Sequence, residues 1–414
     1  MTGEQQSLSL SHQRPESPLR PCKLPRIDGR ESTEEESESI ERNMTPNSRT
    51  QRYLVAIEYI GTRFSGAQQQ ATCRTAMGVL QDAFQKFVGQ PVSIFCSSRT
   101  DAGVHALSNV CHVDVERISK RKPGEVLLPH EPAVVLKAVN HFLQDKIIGW
   151  KSFLVRLLWE CVHDLKLDGA IDEELLKLDV FLLQKSEGDI MVVDVKCVPS
   201  DFHARYKALE RTYFYRLLSG KEPLSTFEKD RAWHVPEELN VLDMQKACSV
   251  LVGHHDFSSF RAAGCQAKSP IRTLDELTVT EVASSPYFPS VLDREQSSYG
   301  LASSVSVSKK LQDDSPSLAG ISDELIENSG AVGFHKFGVR KRHRCFVVTA
   351  RALSFLYHQV RLLVAVLKSV GTGDLTISDV EKILEAKNVM SAPPMAPACG
   401  LYLGHVNYNL PSDI

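Results

Sequence analysis

Val92-Ser-Ile-Phe-Cys-Ser-Ser-Arg-Thr-Asp-Ala-Gly-Val-His-Ala-Leu-Ser-Asn-Val-Cys-His-Val-Asp-Val115 decides how this chain is read. Val92 to Cys96 reads as a strand, Ser97 to Gly103 as a polar turn, and Val110 to Val115 alternates as a second strand. Between them Arg99, Asp101 and Gly103 put a cation, an anion and a glycine within five residues. The plain reading is an Asx turn, with Asp101 bonding its own backbone two residues on and Gly103 supplying a positive φ. The functional reading is a catalytic carboxylate in the turn between two strands. Residues elsewhere in the chain must decide between the two.

Outward from this segment the pattern is α/β. Tyr53, Val55, Ile57 and Tyr59 alternate as a strand, and Gly61 to Gly66 is turn-rich. Thr75 is a suitable N-cap for a helix with Val79, Leu80, Ala83, Phe84, Phe87 and Val88 on one face. A second helix carries Val135, Val139 and Phe142. The pattern restarts with strands at 190–198 and 211–218, the latter with Tyr213, Tyr215 and Leu217 on one face. A helix with Met244, Ala247, Cys248, Leu251 and Val252 follows, with Gly253 at C′. Strands at 274–282 and 345–351 lead to a long helix over 355–370, and Ser378 with Glu381 suggests a capping box for a last helix. The expected architecture is two related α/β halves, 51–145 and 189–410. Each would have a mixed or antiparallel sheet flanked by helices, with a cleft between them, where ligand sites concentrate.

Three segments stand apart. Residues 1–50 are rich in Ser, Glu, Arg and Pro and read as a disordered leader, since they cannot bury enough apolar surface to offset chain entropy. Residues 146–188 are Leu-rich and acidic and read as an insertion. Residues 284–335 are Ser-rich and read as a surface-loop insertion.

Composition removes several classes. The chain has 414 residues, 42% apolar and 24% charged, which suffices for a sizeable core. Its longest apolar stretch contains His358, Gln359, Arg361 and Lys368, so no membrane span is expected. The ten cysteines come no closer than Cys96 and Cys111, fifteen positions apart, so no C-x-x-C zinc pair exists. No secretory signal is recognisable, so reduced thiols are expected. Net charge is −3, but segments 1–50, 151–189 and 301–330 together carry −9, leaving +6 on the rest. A basic body with acidic additions suits a polyanionic partner.

The string Ser97-Ser-Arg-Thr-Asp-Ala-Gly-Val-His-Ala106 resembles the signature of the TruA family of tRNA pseudouridine synthases. Four further blocks follow in family order: His203-Ala-Arg205 with Arg211-Thr-Tyr213; Leu251-Val-Gly-His-His-Asp-Phe-Ser-Ser-Phe260; Phe355-Leu-Tyr-His-Gln-Val-Arg361; and Gly400-Leu-Tyr-Leu403. Ser97 to Asn109 and Val198-Pro-Ser-Asp-Phe-His-Ala-Arg205 are most similar to animal members. The sequence departs from the family at Ala67, where a tryptophan is usual, and at Leu362, where an asparagine is usual.

The resemblance implies isomerisation of specific uridines in tRNA to pseudouridine, without metal or organic cofactor. Asp101 would be the catalytic nucleophile, carboxylates being able to form covalent intermediates. It must be ionised, and Arg361 would form its ion pair. A uridine must leave its stack to reach it, at a cost of roughly a few kcal/mol. Arg99 would fill the gap or hold neighbouring nucleotides. Tyr213 would pack on the uracil and later accept a proton, such stacking being worth ~1–3 kcal/mol. His203 and Arg205 would touch phosphate, and the basic run 336–344 would add an RNA-binding edge. A homodimer is implied, with mitochondria as its compartment and cytoplasm or nucleus as the alternative; the acidic leader makes a poor transit peptide. Two rivals stand beside this. One is a non-catalytic RNA-binding or RNA-folding module of the same fold. The other is a hydrolase using Asp101, which would need a second carboxylate that the motif does not offer.

Overall fold

A computed structural model describes residues 50–119, 121–122, 124–144, 188–282 and 343–410. The leader and most of the two inserted segments lie outside these residues, as does the basic run apart from His343 and Arg344. His343 contacts the Glu222 carbonyl at 2.7 Å, and Arg344 pairs with Glu281 at 2.7 Å.

One mixed sheet organises the described residues. Strands β1 (Gln51–Tyr59), β2 (Ile94–Cys96), β3 (His105–Val115) and β4 (Ile190–Val198) come from the first part of the chain and the first strand of the second. Strands β5 (Ala208–Ser219), β6 (Trp233–Val235), β9 (Glu276–Val282), β10 (Arg344–Ala352) and β11 (Leu401–Tyr408) complete it, in the order β4-β1-β3-β11-β5-β10-β9. Helices α1 (Ala76–Val88) and α2 (Pro132–Leu143) belong to the first half. Helices α3 (Val241–Leu251), α4 (Gln359–Gly371) and α5 (Ile377–Ala386) belong to the second. A separate hairpin, β7 (Gly253–Asp256) and β8 (Ile271–Leu274), occupies the segment after α3.

The two halves share a continuous sheet. Their seam is a short parallel pairing of β11 with β3, Tyr402 opposite His105 and Leu403 opposite Ala106. It is short because β2 takes the same edge of β3 further along, pairing with Cys111 to Val113.

Alternation places the core as the sequence implies. Tyr53, Val55 and Ile57 are fully buried, as are Tyr215 and Leu217. Thr75 caps α1 by accepting from Gly78 N–H at 3.2 Å, and Gly253 follows the C-cap of α3 with φ +117. Ten of the thirteen residues of α4 are buried, making it the central helix of the second half.

Three boundaries differ from expectation. The second helix buries Leu143 more deeply than Phe142. The last helix is capped by Thr376 and Asp379, two residues before Ser378 and Glu381, because Thr376 holds the extended N-cap backbone and Ser378 is already helical. Helix α4 begins at Gln359, not Phe355, because His358 adopts φ +64. A left-handed residue cannot continue a right-handed helix.

Candidate active site

The loop Ser97–Val104 meets the sheet at the seam. His105 opens β3 and stacks on Tyr402 of β11, ring centroids 4.5 Å apart. The loop backbone is held from the first half: Ala67 N–H donates to Thr100 O at 3.0 Å, and the Tyr59 and Thr100 hydroxyls share a 2.7 Å hydrogen bond. Buried Asn109 donates to Tyr59 Oη and to Ser98 O. Gly61 permits this closeness, since a Cβ there would lie 1.8 Å from Val104 O. Gly103 takes φ +84, and Val104 N–H donates to the Asp101 backbone oxygen at 3.1 Å. The turn is thus closed by backbone, and the Asx turn is not what Asp101 makes.

The Asp101 carboxylate reaches across to the start of α4. Its Oδ2 lies 3.1 Å from His358 Nε2 and 3.6 Å from Arg361 Nη1. Exposure divides them: the Asp101 side chain is 28% exposed, against 14% for His358 and 11% for Arg361. The anion keeps an open side while its partners stand behind it. Arg361 Nε donates to Ala396 O at 2.8 Å, which fixes the guanidinium plane. The left-handed backbone at His358 is a conformation costing ~1–3 kcal/mol in a non-glycine residue. It breaks the helix where the imidazole meets Asp101. Leu356 N–H donates to Gln359 Oε1, closing the bend.

Tyr213 is only 9% exposed and packs edge-on against Phe355, centroids 5.2 Å apart. Burial, opposed by Arg211 and reinforced by the Asp101 charge, pushes its phenol up to about 12, so it is neutral at neutral pH. Arg99 is exposed on the loop. Its charge, with that of Arg205, acts on the Cys96 thiol, which burial pushes up. Arg205 is exposed, and its N–H donates to His203 Nδ1 at 3.1 Å. The His203 ring packs against His112 and Tyr206. Asp101, Arg361 and Tyr213 therefore cluster. His203 and Arg205 stand at the loop's base, joined to it through Arg211.

Arg211 and His358 are the residues that sequence reasoning passed over. Arg211 donates to Ser98 Oγ, Ser97 O, Arg205 O and Leu353 O. One guanidinium thereby ties the loop to two segments of the second half. Both stand in stretches quoted above, Arg211 opening Arg211-Thr-Tyr213 and His358 inside Phe355–Arg361, without a role given to either.

His254, His255 and Asp256 hold the β7–β8 hairpin region: His254 contacts Thr273 Oγ1, His255 contacts Val252 O, and Asp256 accepts from Ser258 N–H. Among the described residues no group of three or more His, Cys, Asp or Glu is arranged to hold a metal ion, and no helix is long and apolar enough to cross a membrane. Both departures from the family pattern are buried, Ala67 under the loop and Leu362 in α4.

A large mixed sheet flanked by helices fits the pseudouridine synthases, a class of isomerases. Within that class the chain belongs to the tRNA pseudouridine synthase family, whose model matches residues 55–164 and 247–409. It is similar to tRNA pseudouridine synthase A of Xanthobacter autotrophicus, 31% identical over 357 residues covering 86% of this chain and 99% of the relative. The same enzyme of Paramagnetospirillum magneticum is 30% identical over 358 residues, covering 86% and 95%. That of Methylobacterium sp. is 30% identical over 360 residues, covering 87% and 98%.

Proposed function

We propose that this protein converts specific uridines of tRNA to pseudouridine, with Asp101 as covalent nucleophile toward a uridine extruded from its stack. What carries the reading is the approach of His358 Nε2 and Arg361 Nη1, at 3.1 and 3.6 Å, to one oxygen of a carboxylate that keeps an open side. The carboxylate adds to the nucleoside, and the N1–C1′ bond breaks. The uracil turns, the C5–C1′ bond forms, the bond from the carboxylate to the nucleoside breaks and frees Asp101, C5 loses a proton and N1 gains one. Substrate and product are isomers, so no cofactor is consumed. Arg361 holds positive charge behind the carboxylate throughout. Tyr213, a neutral phenol, lines the wall. Arg99 contacts the RNA beside the extruded nucleotide, and His203 with Arg205 meets its phosphates. The tRNA lies in a basic cleft between the halves. The same resemblance supports a place in the animal branch, the tRNA pseudouridine synthase-like 1 proteins, as a mitochondrial homodimer.

Mapping pseudouridine in RNA from cells with and without the protein tests this, with Asp101→Asn as the paired variant. The expected result is loss of pseudouridine at defined tRNA positions in both the depleted and the variant cells, with tRNA binding by the variant largely kept. An Asn variant that still converts uridine removes the nucleophile. Free uracil as product would indicate the hydrolase, and neither product the binding module.

A further inference from the structure

Two exposed tyrosines sit on segments tied to the Asp101 loop, each with a histidine packed against its ring. Tyr206 is 58% exposed and packs on His203, centroids 4.3 Å apart at 35°. Tyr357 is 48% exposed and stacks on His358, centroids 3.7 Å apart at 28°. A ring with one face covered by imidazole owes such exposure to its other face and edges. Each tyrosine thus presents a flat apolar surface on a fixed backing.

Their backbones are tied to one point. Arg211 bonds the Arg205 carbonyl next to Tyr206, the Leu353 carbonyl four residues before Tyr357, and the Ser97 and Ser98 oxygens of the loop. Three segments converge on one guanidinium, so the segments that carry the two rings are both tied to the loop bearing Asp101. Tyr357 is held further by its carbonyl, which accepts from Ala262 N–H at 3.1 Å. His358, behind Tyr357, is the residue 3.1 Å from Asp101 Oδ2. Around Tyr206 the exposed cations Arg205 and Lys207 supply positive charge, with the Arg205 guanidinium 5.8 Å from the Tyr206 ring centroid.

Exposed aromatic faces beside arginine and lysine suit unstacked nucleobases along a polyanionic strand. We infer that Tyr206 and Tyr357 are stacking platforms for nucleobases of the RNA segment on either side of the extruded uridine. The inference rests on the proposed function for its location, and on ring exposure and backing for its chemistry. Extrusion breaks the stacks above and below the departing base. Two platforms would hold the flanking bases apart and keep the gap open. Tyr213, buried behind Phe355, has too little free surface for this task.

The test measures binding of oligouridylate and of tRNA to the full chain, together with kcat and KM for pseudouridine formation. Tyr206→Ala and Tyr357→Ala should each weaken RNA binding by about 5- to 150-fold, the range of one lost base stack. Tyr206→Phe and Tyr357→Phe restore the ring and should bind like wild type. Thermal melting of all four variants should match wild type, since the side chains are exposed. Alanine variants with wild-type affinity would overturn the inference. Phenylalanine variants as weak as alanine would also overturn it, pointing to the hydroxyls instead. A wild-type protein that binds both RNAs through these rings yet makes no pseudouridine would sink the catalytic reading and keep the platforms. An active enzyme indifferent to both alanines would do the reverse.

Discussion

Two arginine–carboxylate pairs, one within the second half of this molecule and one joining its two halves, are built to opposite ends. Arg216 and Glu228 approach to 2.9 Å, with side chains 17% and 12% exposed. Burial alone would lower the Arg216 pKa, but the hydrogen bond and charge of Glu228 overcome it and hold it above the ordinary value. The pair anchors a turn at residues 225–231, whose Asp230 and Arg231 carbonyls contact His105 Nε2 and accept from Tyr402 Oη, behind the seam. Arg361 and Asp101 stand 3.6 Å apart, and there the carboxylate is the more exposed partner. The first pair turns its charges toward each other, with both side chains largely shut away from solvent. The second leaves an anion partly satisfied and open to a ligand. The looser pair is the one suited to chemistry, because a carboxylate shut away from solvent cannot meet a ligand.

Removing one partner of the tight pair gives the largest expected contrast. Glu228→Gln strands the Arg216 charge and should cost about 3–5 kcal/mol of stability. Denaturant titration would read this, while pseudouridine formation per folded molecule stays near wild type. A Gln variant of unchanged stability would mean that the tight pair is ornamental and the comparison wrong. One that stays folded but loses turnover would put Glu228 in the reaction.

The contrast explains what could be read in the sequence. Period-two runs at Tyr53–Tyr59 and Tyr213–Leu217 announce buried strands, and Thr75 announces a helix start, because these depend on neighbours in sequence. Asp101 stood out because its loop is punctuated by Gly103 between two strands. The shared sheet was not legible. Its seam rests on Tyr402 beside His105, almost three hundred residues apart, and no local period records a long-range parallel pairing. His358 was hidden for another reason. It sits in an apolar run that reads as uninterrupted helix, and only its left-handed backbone shows that the helix starts one residue later. Arg211 looks like any strand arginine until four of its acceptors, three of them distant in sequence, come together around it.

Acid should act first on the structural side of the comparison. Gly61 N–H donates to His105 Nδ1, so His105 carries its proton on Nε2 toward the Asp230 carbonyl. A second proton would break the Gly61 bond. Burial, with the nearby Arg231 charge adding, lowers the His105 pKa to about 4. Burial, with Arg52 and His203 adding, lowers that of His112 to about 3. Histidines depressed in the folded state take up protons more readily when unfolded. Their contribution is therefore intact above about pH 6.5 and is lost as pH falls from there toward 4. For His105 alone the loss is on the order of 3 kcal/mol by pH 4. Urea melts between pH 8 and pH 5 should show a flat stability above 6.5 and a decline below it. A profile flat down to pH 5 would mean that both rings protonate freely in the folded protein.

The smallest effect distinguishes two roles for Tyr213 beside the looser pair. Tyr213→Phe keeps the ring against Phe355 and removes a hydroxyl that bonds Ser98. If the phenol only lines the site, the loss is that of one neutral hydrogen bond, about 2- to 13-fold in kcat with KM unchanged. If it were the base that takes the uracil C5 proton, the loss would be about 10²- to 10⁴-fold. A phenol pushed up to about 12 by burial, and further disfavoured as an anion by Asp101, is almost wholly protonated at neutral pH. The smaller number is therefore expected. Single-turnover rates across pH 6 to 9 would check it, since a phenolate base imposes a tenfold rise per pH unit that a neutral wall does not.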